Sequence, residues 1–211
     1  MGEDGHTLTG DIRRHTNFPS RLLGRRRDVL VYLPPGYARS RRRYPVLYLF
    51  DGQNVFDAAT AYVGVAWEVD DTAERLIRNR EMGATIIVAV DNAQEDRIHE
   101  YTPTRGEYSW YGERRRSKGQ GARYGKFLTE ELKPFIDMHY RTRPEGEFTG
   151  VCGSSLGGLM SLYLGLKYPK TFQRLGVLSP SIWWDDCVIY DFVERIKRKP
   201  PLKIWLDTGT D

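Results

Sequence analysis

Cysteine is nearly absent from this chain of 211 residues: Cys152 and Cys187 form no CxxC pair and fall short of the four ligands of a structural zinc site. A disulfide-stapled scaffold is thereby excluded, and both thiols are expected reduced and buried. Long apolar runs are missing too. The longest, around residues 85–90, is far below the roughly 18 residues needed to cross a bilayer, which excludes a membrane-spanning helix. The opening Met1-Gly2-Glu3-Asp4-Gly5-His6 has neither a basic start with an apolar stretch nor a small-residue cleavage site. No export signal is visible, and a cytoplasmic location is the expectation. Repeats, low-complexity tracts and Pro/Gly/Ser-rich linkers are lacking, so residues 1–211 read as one domain. Histidine is scarce, with four in the chain.

What is present suits a globular protein: 40% hydrophobic, 12% aromatic and 28% charged residues are enough to build a core. The net charge of +4 comes from 32 basic against 28 acidic residues. Three arginine triplets stand out, at 25–27, 41–43 and 114–116. With no nucleic-acid module around them they read as solvated loop or strand edges, and no nucleic-acid partner is expected.

Apolar runs of strand length recur at 29–33, 46–50, 85–90, 148–152, 175–178 and 203–206, each ending in a turn signal. Helical periodicity separates several of them, at 67–80, 124–139 and 155–167. Continuous apolar strands alternating with helices predict a mostly parallel sheet covered on both faces, with an antiparallel edge from the early strands. Functional groups in such a sheet gather at the carboxyl ends of the strands. Residues 104–123 lack clear periodicity and read as a surface excursion, a lid or binding loop.

One of those strand ends carries Gly153-Ser154-Ser155-Leu156-Gly157-Gly158, lodged between a strand and a helix as a G-x-S-x-G nucleophile elbow requires. A sharp turn there strains Ser155 and lifts it into a cleft, and side chains at Gly153 or Gly157 are expected to collide with neighbouring backbone. The following helix offers free amides, so the Leu156 N–H is placed to face an oxyanion. The competing reading is a tight turn with a serine N-cap, for which Ser154 or Ser155 would serve. A second oxyanion donor is expected after residues 46–50, where Asp51-Gly52-Gln53-Asn54 stands, and the Gln53 amide is the candidate.

At this point the motifs at 47–53, 97–103, 127–134, 153–158 and 178–184, taken together and in order, resemble the Putative esterase family that includes enterochelin (siderophore) esterases. Esterase D and feruloyl esterases are more distant relatives, and mycolyltransferases share the fold. The resemblance implies an α/β-hydrolase fold, a Ser-His-Asp/Glu triad, a small-molecule ester substrate and no cofactor or metal. It makes Ser155 the nucleophile and carries the oxyanion donors to Leu156 and Gln53. The acid falls on the loop after residues 203–206, where Asp211 is preferred over Asp207, for which a structural hydrogen bond is expected. Arg97, Glu100 and Tyr101 match a family segment near the cleft and become candidates for binding polar substrate groups or for pairing with each other. Trp183 and Trp184 are candidates to wall the cleft or to pack in the core.

The base is missing. His6, His15 and His139 read as structural or exposed, and His99 lies in a loop that does not supply the family's base. The expectation is therefore a domain cut short at its C-terminus, one strand, a histidine loop and a helix before its end. Three functions follow: a serine ester hydrolase acting through an acyl-enzyme on a siderophore or other aromatic ester, a catalytically silent ligand-binding module on the same fold, and an acyltransferase. The arginine triplets add the narrower expectation of an anionic substrate, whose turnover would fall steeply with salt.

Overall fold

The structure, a computed structural model, describes residues 6–209. Its strands are β1 (Asp11–Ser20), β2 (Arg25–Leu33), β3 (Val46–Phe50), β4 (Ile86–Val90), β5 (Glu107–Trp110), β6 (Glu113–Arg116), β7 (Thr149–Ser154), β8 (Arg174–Leu178) and β9 (Lys203–Asp207). The helices are α1 (Val69–Arg78), α2 (Arg97–Glu100), α3 (Gly121–Lys126), α4 (Lys133–His139), α5 (Leu156–Lys167), α6 (Trp184–Cys187) and α7 (Ile189–Glu194). A π-helical segment, Phe127–Leu132, joins α3 to α4.

Seven strands form one sheet in the order β1-β2-β4-β3-β7-β8-β9. The first two run antiparallel to their neighbours, while β4, β3, β7, β8 and β9 are mutually parallel, as the periodicity predicts. Alternation along the central strands sends their side chains to opposite faces. Val29, Val31, Tyr48, Phe50, Val88 and Val90 join the larger core cluster with Tyr124, Phe127, Leu132, Leu159 and Leu164 of the covering helices. Leu30, Tyr32, Leu49, Ile87 and Ala89 form a second cluster with Val55, Phe56 and Ala73. Helix α5 is buried over most of its residues, as a helix apolar nearly all round must be.

From β3 the chain steps outward to β4 in one direction, and later from β7 to β8 and β9 in the other. That reversal opens a crevice at the carboxyl ends of β3 and β7, where open α/β sheets bind their ligands.

Two elements depart from the sequence reading. The excursion at 104–123 contains a β-hairpin, β5 paired with β6, turned by Tyr111 (φ 49°) and Gly112 (φ 81°). Positive φ at both turn positions is what a two-residue hairpin of matching twist requires, and four-residue strands are too short to show a period. The thiols are free but only half-buried, and burial pushes the Cys152 thiol up to about 11. Among the described residues, no helix is long and apolar enough to cross a membrane.

Candidate active site

Ser155 sits between β7 and α5 with φ 59° and ψ −118°, a conformation rarely adopted by a non-glycine residue. Three backbone hydrogen bonds fix it: its N–H donates to the Leu178 carbonyl at 3.0 Å, and its own carbonyl accepts from Leu159 and Ser181, each at 3.0 Å. The glycines divide the work differently from expectation. A Cβ on Gly153 would come within 2.8 Å of the Gly157 backbone, and one on Gly158 within 2.7 Å of the Leu178 carbonyl. At Gly157 it would meet nothing closer than Asp51 Oδ2 at 3.5 Å, an ordinary contact. Close approach thus constrains Gly153 and Gly158, because the first turn of α5 presses on the one and the end of β8 on the other.

The Ser155 side chain opens into a cleft of about 560 Å3 lined by residues that include Asp51, Gln53, Asn92 and Arg97 on its floor and Tyr62, Trp67 and Trp110 at its rim. No side-chain cap ties Ser155 to its helix, so its hydroxyl is not spent as an N-cap. Instead Oγ lies 3.1 Å from Oγ of Ser181, a buried residue the sequence reading did not single out. The N–H groups of Leu156 and Gln53 have no acceptor among the described residues. An unspent amide that follows the hydroxyl in the chain at the head of α5, and another on a residue lining the same cleft, are the kind of donors that can stabilise negative charge developing on a carbonyl oxygen.

The floor is a polar network packed behind the hydroxyl. Asp51, at φ 56°, follows β3, and Gly52 passes so close to β4 that a Cβ would lie 2.6 Å from Val90. The Asp51 carboxylate accepts from Arg97 Nε at 2.6 Å, Arg97 Nη2 at 2.8 Å and Asn92 Nδ2 at 2.6 Å. Asn92 N–H donates to the Gln53 side-chain oxygen at 3.3 Å. Burial pulls the Arg97 guanidinium down, but the hydrogen bonds and charge of Asp51 outweigh it, so the pKa is raised on balance.

The other segment candidates are elsewhere. Glu100 is 1% exposed and paired with buried Arg27 at 2.9 Å, so it is unavailable to a ligand. Tyr101 is fully buried; its hydroxyl accepts from the Asp51 N–H at 3.2 Å, and burial raises its pKa well above the usual range. Both are scaffold, because α2 turns them inward against β2 and β3. Trp184 is also fully buried, donating from Nε1 to Thr104 Oγ1 at 3.3 Å, and this settles it in the core. Trp183 is exposed but lines a separate depression with Arg105, Arg116, Asp185 and Asp186. The aromatic rim is therefore supplied by Tyr62, Trp67 and Trp110, whose separation in sequence hides that they meet.

Asp207 accepts from the Ser179 N–H at 2.9 Å, a structural bond that holds the ends of β8 and β9 together. Asp211 lies outside the described residues. The histidines are all bonded away from Ser155: His6 Nδ1 to Asp57 at 2.6 Å, His15 Nε2 to Tyr140 at 2.6 Å, His99 Nδ1 to Ser117 at 3.3 Å and His139 Nδ1 to the Phe135 carbonyl at 2.8 Å. None lines the cleft, and neither do the nine triplet arginines. Arg27 departs from the solvated-edge reading by being buried, while 41–43 and 114–116 are exposed. Among the described residues no three His, Cys, Asp or Glu side chains gather in a metal-binding arrangement.

A family model described as Putative esterase matches residues 20–211. The uncharacterized protein YbbA of Bacillus subtilis is 27% identical over 179 residues, 82% of this chain and 64% of that protein. Ferri-bacillibactin esterase BesA of the same organism is 28% identical over 190 residues, covering 79% of this chain and 59% of its own length. Among solved structures, the IroE-like serine hydrolase from Shewanella oneidensis superposes with a TM-score of 0.68 at 27% identity, over 87% of this chain and 55% of its own. The chain spans less than two thirds of the length of each of these relatives.

Proposed function

Since the chain belongs to the Putative esterase family, we propose that it carries the nucleophile and oxyanion hole of a serine carboxylic ester hydrolase. Ser155 Oγ attacks the ester carbonyl while a base takes its proton, and the carbonyl electron pair moves onto oxygen between the Leu156 and Gln53 N–H groups. Collapse expels the alcohol, which receives the proton from the base, and leaves an acyl-enzyme. Water, deprotonated by the same base, then releases the acid and restores Ser155. The observation carrying this reading is the strained, exposed Ser155 at the strand-to-helix turn, opening into a cleft that Gln53 also lines.

In this reading the base is a histidine from polypeptide outside the described residues, oriented by Asp211 or, as the alternative, Asp207. Supporting that are the four histidines bonded elsewhere and the greater length of the relatives. The substrate we favour is a siderophore or other aromatic ester, on two grounds: the aromatic rim of Tyr62, Trp67 and Trp110, and the similarity to BesA, a ferri-bacillibactin esterase.

The test is reaction of the full-length protein with a fluorophosphonate, followed by peptide mapping. Labelling on Ser155, its loss in Ser155→Ala, and parallel loss of aryl-ester turnover are expected. Unchanged turnover in Ser155→Ala would overturn the mechanism. The absence of a histidine from the cleft favours a second reading, a silent binding module. Ester binding without labelling would select it.

A further inference from the structure

The Gln53 and Leu156 amides belong to different loops, one after β3 and the other after β7, so something must fix their spacing. Arg97 reaches both segments, the turn after β3 and the end of β7. It clamps Asp51 through two nitrogens and reaches the Ser154 carbonyl with Nη2 at 3.5 Å. The clamped carboxylate also packs on the first turn of α5, since a Cβ on Gly157 would lie 3.5 Å from Asp51 Oδ2. Asp51 is held at positive φ on the residue just before Gly52 and Gln53, so a shift of its carboxylate is passed to the Gln53 amide. Stacking over Tyr101 at 5.1 Å fixes the plane of the guanidinium. Nε and Nη2 are committed to these contacts, which leaves Nη1 as the nitrogen without a partner among the described residues.

We propose that Arg97 is a positioning residue, which ties the turn at 51–54 to the nucleophile elbow and sets the separation of the two oxyanion N–H groups. The proposal rests on the reading of Ser155 as nucleophile and of these amides as the oxyanion hole. A fork of two parallel hydrogen bonds together with a third reach is open to arginine and closed to lysine, whose ammonium is a point donor.

Saturation kinetics of fluorophosphonate labelling in the full-length protein separate the roles. Arg97→Lys is expected to lower the limiting labelling rate about 10-fold or more, since loss of a single oxyanion donor costs about 100-fold and misplacement costs part of that. The half-saturating probe concentration should stay near the wild-type value. In Arg97→Ala, added guanidinium ion should restore part of the rate while leaving the wild type unaccelerated. If Arg97→Lys does not fold, Asp51→Asn takes its place with the same expectations. An unchanged limiting rate, or a raised half-saturating concentration at an unchanged limiting rate, overturns the positioning role and leaves Ser155 as nucleophile intact. A wild type that is never labelled overturns both.

Discussion

The floor and the rim of the cleft are built on opposite principles. On the floor Asp51 is 2% exposed, and in the scaffold behind it Glu100 is 1% exposed; each carboxylate is matched to a guanidinium by two hydrogen bonds, so charge is buried only where it is answered. At the rim, Tyr62 is 78% exposed, Trp110 49% and neighbouring Tyr111 90%, carried on a loop and on a hairpin that stands apart from the main sheet. Groups that must hold a geometry are over-determined by buried partners, whereas groups that meet a ligand are left with open surface. A perturbation of the floor should therefore register in stability and in the reaction, and one at the rim in ligand affinity.

The largest effect is expected at Glu100. Its carboxylate accepts from Arg27 Nη2 at 2.9 and 3.1 Å, and Arg27 also donates to the Asp91 carbonyl at 3.0 Å, so the pair joins β2 to α2 and to the turn after β4. Glu100→Ala would strand a buried guanidinium and should cost about 3 to 5 kcal/mol in chemical denaturation. The hairpin that carries Trp110 offers the matched control. Arg115 and Glu113 are joined at 2.9 Å but are both exposed, so Glu113→Ala should leave the denaturation midpoint where it was. Equal losses at the two sites would erase the distinction.

A second, smaller effect separates the floor by pH. Burial, then the nearby Asp28 charge, pushes the Asp91 carboxyl up to about 7, against the pull of Arg14 and Arg27. One of its oxygens, Oδ1, is buried without a partner. The folded state thus holds a proton that the unfolded state releases near pH 4, so stability falls as pH rises from about 4 to about 7. Asp91→Asn removes the charge to be buried. Its melting temperature should match wild type at pH 5 and exceed it by a few degrees at pH 8. An equal gain at both values would show that the carboxyl is not titrating in that window.

The same contrast explains what was readable in the sequence. Strands and helices of the sheet announce themselves through periodicity, and the Gly153–Gly158 elbow does so through a strand, a glycine-flanked serine and a helix in succession. Both are local signals. The floor network is not local: Asp51, Asn92, Arg97 and Tyr101 meet only because β3 and β4 are neighbours, and nothing in their spacing says that Arg97 faces Asp51 while Glu100 faces Arg27. Ser181 was hidden in the same way, 26 positions from the hydroxyl it touches. Trp183 and Trp184 show the limit of composition as a guide. Adjacent and alike, they part because Trp184 fills the space over Gly106, where a Cβ would lie 2.7 Å from its ring, while Trp183 stays exposed beside Arg105 and Arg116.

The smallest effect is expected at Trp110, the cleft-lining residue that the hairpin supplies. It lines the cleft from the end of β5 and packs edge-on against Tyr111 with ring centroids 5.3 Å apart, yet half of its surface is open. Trp110→Ala removes no buried contact of the core, so the melting temperature should hold within about 1 °C. An aromatic ligand stacked at the rim would lose a contact of about 0.5 to 1.5 kcal/mol, a rise in KM of roughly 2- to 12-fold with kcat preserved. Comparing aryl with short alkyl esters isolates the effect, because only the aryl series should respond. A fall in kcat of the same size for both series would mean that the hairpin helps set the floor, and the two regions would then have to be treated as one.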